Sequence, residues 1–153
     1  MILSTVCYIE QDGKYLMLHR TKKKKDVNHE KWIGVGGKLE AQESPEECVV
    51  REVWEETGLT LQEYQLRGIV TYVSAEWETE YMYVFIASKV TGKMRENCNE
   101  GDLQWVEKDK IMELNLWEGD KLFLAKMAEG VPFFSAKFVY DNNDLVEYKI
   151  KEY

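Results

Sequence analysis

The sequence lacks the features that mark membrane, secreted and disulfide-rich proteins. None of its apolar runs approaches the roughly 20 residues that a membrane-spanning helix needs. The N-terminal segment alternates apolar and polar side chains, so it predicts a strand of the fold rather than a signal peptide. Cys7, Cys48 and Cys98 are an odd number without a CxxC pair. They therefore predict reduced thiols in a cytoplasmic protein, and neither a disulfide framework nor a zinc site.

Positive charge is also scarce. The chain has 20 Lys and Arg against 28 Asp and Glu, a formal net charge of −8. A general nucleic-acid binder needs a basic surface, so a nucleic-acid polymer is not an expected partner. A small polyanionic substrate stays compatible with this charge if a metal supplies the local positive field. The 153 residues contain no repeat, low-complexity tract or linker, and they predict one domain spanning 1–153.

Periodicity and turn residues predict a chain that mixes strands and helices. Strands are expected at 2–10, 14–20, 64–74, 80–88, 102–106, 133–141 and 145–153. A short helix is expected at 108–114 and a longer one at 117–129, ended by Gly130 and Pro132.

The clearest helix signal lies between Ser44 and Gly58. Ser44 suits the N-cap, Pro45 the first helical position, and a glutamate three residues after the cap closes a capping box. Gly58 follows the last turn. Val49 and Val53 belong to an apolar stripe that should pack on a sheet.

Glu52, Glu55 and Glu56 of this helix stand at i, i+3 and i+4, which places them on one face. Three such carboxylates repel one another, and oxygen-rich acidic clusters suit hard cations such as Mg²⁺ or Mn²⁺. A solvated helix face bridged to lysines is the ordinary alternative. None of the positions four residues later is Lys or Arg, so the sequence disfavours that alternative.

Two stretches before the helix have more than one interpretation. Gly34, Gly36 and Gly37 allow the main chain to approach a ligand closely, although a structural turn explains them equally well. The four consecutive lysines at 22–25 are typical of a solvated loop. The alternative is that one of them, Lys23, reaches a substrate phosphate.

The spacing of the central residues resembles the Nudix box at every fixed position and without a gap. The residues that carry the resemblance are Gly37, Glu43, Arg51, Glu52, Val53, Glu55, Glu56, Gly58 and Leu59. It implies the Nudix fold, an α+β (α/β/α) sandwich with a mixed sheet between helices. It also implies hydrolysis of a nucleoside diphosphate linked to another group, with Mg²⁺, or Mn²⁺ in its place, as cofactor.

The same resemblance assigns roles to individual residues. The implied metal ligands are Glu52, Glu55, Glu56, Glu100 and the carbonyl of Gly36. Glu52 or Glu56 is the expected base for the attacking water, and a base from the later loop is the alternative, with Glu100 the first candidate and Glu96 the second. The implied structural support comes from the Glu43–Arg51 pair, Gly37 and Gly58.

A broader likeness, to the MutT-like subgroup, covers nearly the whole chain. It is carried by KWIGVGGKLE at 31–40, WEGD at 117–120 and the C-terminal FFSAKFVYDNNDLVEY. It implies that Trp117 stacks on a purine and that Asp120 reads the purine edge, although Trp117 also suits a core position before the helix. Ile33 stands where an Asn is expected, and Gly119 where a second Asp could be. The site should therefore discriminate less between oxidised and ordinary purines.

The expected reaction is cleavage between the α and β phosphates of a purine nucleoside triphosphate such as 8-oxo-dGTP. Its products are a nucleoside monophosphate and pyrophosphate, and its role is sanitation of the nucleotide pool. One alternative is a Nudix pyrophosphatase of ADP-ribose, a nucleotide sugar or a dinucleoside polyphosphate. Another is a nucleotide-sensing Nudix domain without catalysis. The sequence leaves monomer and dimer equally open.

Overall fold

Eight strands and two α-helices make up the described part of the chain. A computed structural model gives the fold and describes residues 1–22, 24, 26, 28–96, 98 and 100–153. The strands are β1 (Ile2–Gln11), β2 (Lys14–His19), β3 (Trp32–Ile33), β4 (Thr60–Ser74), β5 (Glu80–Thr91), β6 (Asp102–Glu107), β7 (Phe134–Asp141) and β8 (Asp144–Glu152). The helices are α1 (Pro45–Thr57) and α2 (Glu118–Ala128), with a 3₁₀ helix at Lys108–Glu113.

The strands form one mixed sheet in the order β3-β2-β1-β5-β4-β7-β8, and β6 also pairs with β2. β1 runs parallel to β5, and β4 runs parallel to β7. The remaining pairs are antiparallel, including the β1–β2 and β7–β8 hairpins. The predicted mixed sheet is confirmed.

Each face of the sheet carries its own hydrophobic core, because consecutive residues of a strand point to opposite faces. Cys7 packs in one core with Val49 and Val53 of α1. Its neighbour Tyr8 packs in the other core, where its ring meets that of Phe123 of α2. Burying a side chain such as Val53 or Phe123 contributes about 1.5–3 kcal/mol. The two helices therefore cover opposite faces, as the predicted sandwich requires.

α1 begins and ends at the predicted residues. The Ser44 hydroxyl accepts a hydrogen bond from the Glu47 backbone N–H at 3.1 Å, and the Glu47 carboxylate accepts one from the Ser44 N–H at 3.0 Å. At the other end Gly58 has φ +80° and its N–H donates to the Trp54 carbonyl. This left-handed conformation favours glycine, so both ends of the helix are fixed by local chemistry.

The boundaries of other elements differ from the prediction for identifiable reasons. β4 starts at Thr60 instead of residue 64, because two register irregularities near Glu63 break the two-residue alternation. β5 correspondingly extends to Thr91, the partner of Thr60. The segment expected as a short helix at 108–114 is a 3₁₀ helix. α2 is one residue shorter at each end, since Trp117 and Glu129 are its caps.

Two expectations drawn from absences can be compared with the fold. In the described ranges no helix combines the length and apolarity needed to cross a bilayer. Cys7, Cys48 and Cys98 are all buried and free, and their reduced state stays a prediction.

Candidate metal and nucleotide site

The glycine loop before α1 is held against β1. The backbone carbonyls of Val35 and Gly37 accept hydrogen bonds from the N–H groups of Cys7 and Thr5. A Cβ atom at Gly37 would overlap the carboxylate of Glu52. Glycine at this position therefore allows the Glu52 side chain to pack directly on the loop.

Glu56 is the most deeply buried of the three carboxylates on α1. Its Oε2 atom is buried and has no hydrogen-bond partner within the described chain. Burial raises the pKa of Glu56 from 4.5 to about 9, and the nearby Glu100 and Glu52 carboxylates add to the shift. A hydrogen bond with the Gly36 backbone and the charge of Arg20 oppose it. The ionised form of Glu56 therefore needs additional positive charge beside it.

Glu52 and Glu55 both contact Arg51. The Arg51 Nη1 group donates to Glu52 at 2.8 Å and to Glu55 at 3.1 Å. Burial raises the pKa of Glu52, and Arg51 opposes that shift. The Glu55 side chain is half-exposed, so it lies on the outer side of the cluster.

Arg51 also joins the loop to the helix through a bidentate pair with Glu43. Its Nε donates to one Glu43 oxygen at 2.6 Å and its Nη2 to the other at 2.9 Å. This hydrogen bonding lowers the pKa of Glu43 to about 2. A further bond runs from Nη2 to the Lys38 carbonyl at 3.2 Å. One guanidinium thus orients the loop before α1 and the carboxylates of α1 together.

The later loop brings Glu100 toward the box. β2 and β6 pair with His19 opposite Asp102, which places Glu100 beside the end of β2. Arg20 follows that strand and donates to Glu100 at 2.8 Å. The Glu100 charge acts on both Glu52 and Glu56. Glu96, the other candidate from this loop, is exposed.

The chemistry of these side chains suits a hard divalent cation. Their present arrangement suits one less well. Carboxylate oxygens are the ligands that Mg²⁺ and Mn²⁺ prefer, and the unpartnered Glu56 Oε2 is a buried acceptor of that kind. Within the described residues, however, no three His, Cys, Asp or Glu side chains converge closely enough to hold an ion. Glu52 and Glu100 are each bound by an arginine instead. A cation beside Glu56 would compete with these arginine contacts.

Trp117 lies at the rim of the core on the α2 face. Its indole N–H donates to the Asn28 side chain at 2.7 Å, and the Lys31 ammonium lies 4.6 Å from its ring centroid. The edge of the ring meets Tyr140, with 5.5 Å between centroids. Trp117 is partly buried, so it both anchors the start of α2 and keeps ring surface accessible.

Asp120, one turn further on, is a buried carboxylate with a neutral partner. It is 4% exposed and accepts a hydrogen bond from the Tyr72 hydroxyl at 2.6 Å. Burial raises the pKa of Asp120 from 3.8 to about 7; Tyr72 and Lys31 lower it, and Glu80 raises it further. Asp120 is thus poised to change charge near neutral pH.

Ile33, the other predicted recognition residue within the described part of the chain, packs on the opposite face of the sheet from Trp117. Ile33 packs in the core on the α1 face, because alternation in β3 directs Trp32, not Ile33, to the α2 face. The role of Ile33 in base recognition, which the family resemblance implies, stays a prediction. At Gly119 an added Cβ would meet the Phe138 ring at 2.6 Å, so a second carboxylate there would require that ring to move. Lys23 lies outside the described residues.

Three residues near these groups escaped the sequence analysis. Arg20 bridges Glu100 and Asp26, Tyr72 binds Asp120, and Lys31 covers Trp117. An arginine at the end of a strand is a weak signal for a site. Tyr72 and Lys31 look like ordinary strand and loop residues in sequence.

Comparison with known proteins gives consistent results. A family model described as NUDIX domain matches residues 2–127. The "Uncharacterized Nudix hydrolase YvcI" of Bacillus subtilis is 30% identical over 154 residues, covering 95% of this chain and 92% of that protein. The "Oxidized purine nucleoside triphosphate hydrolase" of Danio rerio is 30% identical over 152 residues, covering 98% and 94%. The crystal structure of a MutT protein from Bacillus halodurans superposes with a TM-score of 0.87 at 30% identity, covering 98% of this chain and 97% of that one.

Proposed function

Because the chain belongs to the Nudix hydrolase family, we propose that it hydrolyses purine nucleoside triphosphates between the α and β phosphates. The products are a nucleoside monophosphate and pyrophosphate, and Mg²⁺ is the physiological cofactor. The observation that carries the proposal is Glu56, whose buried and unpartnered oxygen lies in the electrostatic field of Glu52 and Glu100. We also propose that residues 1–153 act as one domain on free nucleotides in the cytoplasm.

The carboxylate side of the site supports hydrolysis. Glu52, Glu56 and Glu100, together with the Gly36 carbonyl, are the groups that would hold the cation, and Glu55 lies further out. When bound, the cation offsets phosphate charge and makes the attacking water more acidic. Glu52, Glu56 or Glu100 accepts the proton of that water. Arg51 keeps the Glu52 carboxylate aligned through its bidentate bond to Glu43.

The α2 face supports purine recognition. Trp117 offers an aromatic surface beside Asp120, an acceptor for the N–H groups at a purine edge. The relative from Danio rerio, named as a hydrolase of oxidised purine nucleoside triphosphates, matches this chain over 98% of its length. We therefore assign purine triphosphates as the substrate class, with 8-oxo-dGTP among them.

A substrate screen tests the proposal. Initial rates are measured with dGTP, 8-oxo-dGTP, dATP, dCTP, ADP-ribose and a dinucleoside polyphosphate, each with Mg²⁺ or Mn²⁺, and products are separated by ion-exchange chromatography. We expect the highest kcat/KM for a purine triphosphate, with monophosphate and pyrophosphate as products. Nucleoside diphosphate with inorganic phosphate would contradict the cleavage position. A preference for ADP-ribose or the dinucleoside polyphosphate would contradict the substrate class.

A further inference from the structure

Arg20 is shared between two carboxylates from different loops. Its Nε donates to Asp26 at 2.7 Å and its Nη1 to Glu100 at 2.8 Å. The Arg20 side chain is 14% exposed and the Asp26 side chain 10%, so both are largely shielded from water. The Arg20 backbone is fixed as well, by hydrogen bonds with Glu30 and Lys31. Arg20 therefore extends a cation from a fixed backbone position to the edge of the carboxylate cluster.

This placement accounts for a feature of the cluster that the family pattern does not explain. Within the described residues the carboxylates do not converge as an ion would require, although Glu56 has a buried oxygen without a partner. Arginines bind the two carboxylates beside Glu56: Arg51 binds Glu52, and Arg20 binds Glu100. Arg51 belongs to the box, whereas Arg20 lies outside it. Asp26 competes with Glu100 for the Arg20 guanidinium.

We propose that Arg20 is a positioning residue that holds the Glu100 carboxylate, that a divalent cation must compete with Arg20 for this carboxylate, and that Asp26 regulates the competition by taking the released guanidinium. The inference rests on the proposed function, because it assigns Glu100 to the cation site. Asp26 is the anchor that lets Arg20 leave Glu100 without losing its own charge partner. Cation binding at the cluster is thereby coupled to the loop that contains Asp26.

The proposal predicts opposite effects for two substitutions. Arg20→Gln removes one cation that competes for Glu100, so a divalent ion should bind about five- to tenfold more tightly, the effect of one unit charge about 4 Å away at the dielectric of water. Asp26→Asn leaves Arg20 with Glu100 as its remaining carboxylate, so the ion should bind about threefold more weakly. A residue with a purely structural role would weaken ion binding in both variants or change neither.

The experiment measures Mn²⁺ binding to the intact chain without nucleotide, by electron paramagnetic resonance of the free ion and by calorimetry. Lys24→Gln is the matched control for Arg20→Gln, and Glu30→Gln is the matched control for Asp26→Asn. Each control removes an exposed charge of the same sign as its test substitution, from the same loop. We expect less than a twofold change in these controls. Melting temperatures verify that each variant is folded. If Arg20→Gln does not fold, Asp26→Asn and Arg20→Lys carry the test. The lysine variant should keep wild-type Mn²⁺ affinity but show a lower kcat with a purine triphosphate.

Failure of this inference and failure of the proposed function give different results. One outcome overturns the role of Arg20 alone. In that outcome Glu56→Gln abolishes Mn²⁺ binding, but Arg20→Gln and Asp26→Asn each change it less than twofold. Shifts of both variants in the same direction also overturn it. Wild-type protein whose Mn²⁺ binding is absent or insensitive to Glu56→Gln overturns the proposed cation site, and this inference with it.

Discussion

The carboxylates beside α1 and the Asp120 carboxylate in α2 differ in the groups that bind them. Beside α1, arginine guanidinium groups bind Glu52 and Glu100. Beside α2, a neutral tyrosine hydroxyl binds the buried Asp120. An arginine contact can be exchanged for a metal ion of the same sign, whereas a hydroxyl contact keeps a carboxylate available as an acceptor. The first arrangement suits reaction chemistry and the second suits recognition.

Substitutions in the two regions should therefore change different kinetic constants. Changes beside α1 should reduce kcat, because they remove interactions made with the reacting phosphates in the transition state. Changes beside α2 should raise KM with little effect on kcat, because they remove interactions with the base that exist before reaction.

Removal of divalent metal should have the largest effect. We expect chelation to lower kcat with a purine triphosphate by about a thousandfold or more, because the phosphate charge then lacks its main compensation. Added Mg²⁺ should restore the rate. The measurement is turnover after exhaustive dialysis against chelator. Retention of more than about a tenth of the activity would contradict the proposed role of the carboxylates.

Loss of the Glu43–Arg51 pair should have the next largest effect. Arg51→Lys removes the bidentate contact, since an ammonium cannot reproduce the fork geometry. We expect kcat to fall about 10–100-fold, as for other residues that orient metal ligands. Arg95→Lys is the matched control, because Arg95 contacts the C-terminal end of the same helix. Equal effects of both substitutions would show that Arg51 serves only the stability of α1.

Trp117→Ala tests the recognition side. We expect KM for a purine triphosphate to rise about tenfold with kcat within about twofold of wild type, since stacking on one base contributes about 1–3 kcal/mol. Trp77→Ala is the control, because Trp77 is an exposed tryptophan in the β4–β5 connection. A fall in kcat with unchanged KM would place Trp117 on the chemical side of the comparison.

The last expected effect concerns stability rather than turnover. The pKa of Asp120 rises from 3.8 to about 7 on folding, so the folded chain binds more protons than the unfolded chain between these pH values. Its contribution to the free energy of unfolding is therefore full below about pH 4 and declines as pH rises to about 7. Urea denaturation at several pH values should show that Asp120→Asn loses this decline relative to wild type. Tyr72→Phe should extend it to higher pH, because the Tyr72 hydroxyl lowers the pKa of Asp120. Identical pH profiles in all three proteins would contradict the assignment.

The comparison also explains what could be predicted from the sequence. α1 and its caps are encoded by neighbouring residues, so Ser44, Pro45 and Gly58 predicted its ends correctly. The predicted pairing of Glu43 with Arg51 is present for the same reason, because one helix and its preceding loop carry both residues. The sandwich followed from the family resemblance and is confirmed by the two cores.

The contacts that escaped prediction join segments that are distant in the sequence. Arg20 meets Glu100 because β2 pairs with β6 across 80 positions of the chain, and Tyr72 meets Asp120 across 48. The sheet face on which Ile33 lies was also not predictable, since a two-residue strand gives too little alternation to assign it. Local patterns carry no information about such pairings, so the recognition side was the less predictable of the two.

The central claim is that the carboxylates beside α1 perform the chemistry, and turnover of Glu56→Gln with a purine triphosphate and Mg²⁺ tests it most directly. Glu46→Gln, at an exposed position of the same helix, is the matched control. We predict that Glu56→Gln lowers kcat by about a thousandfold or more while its melting temperature stays at or above the wild-type value, because the amide removes a buried acid. A folded Glu56→Gln variant with kcat close to that of Glu46→Gln would contradict the account.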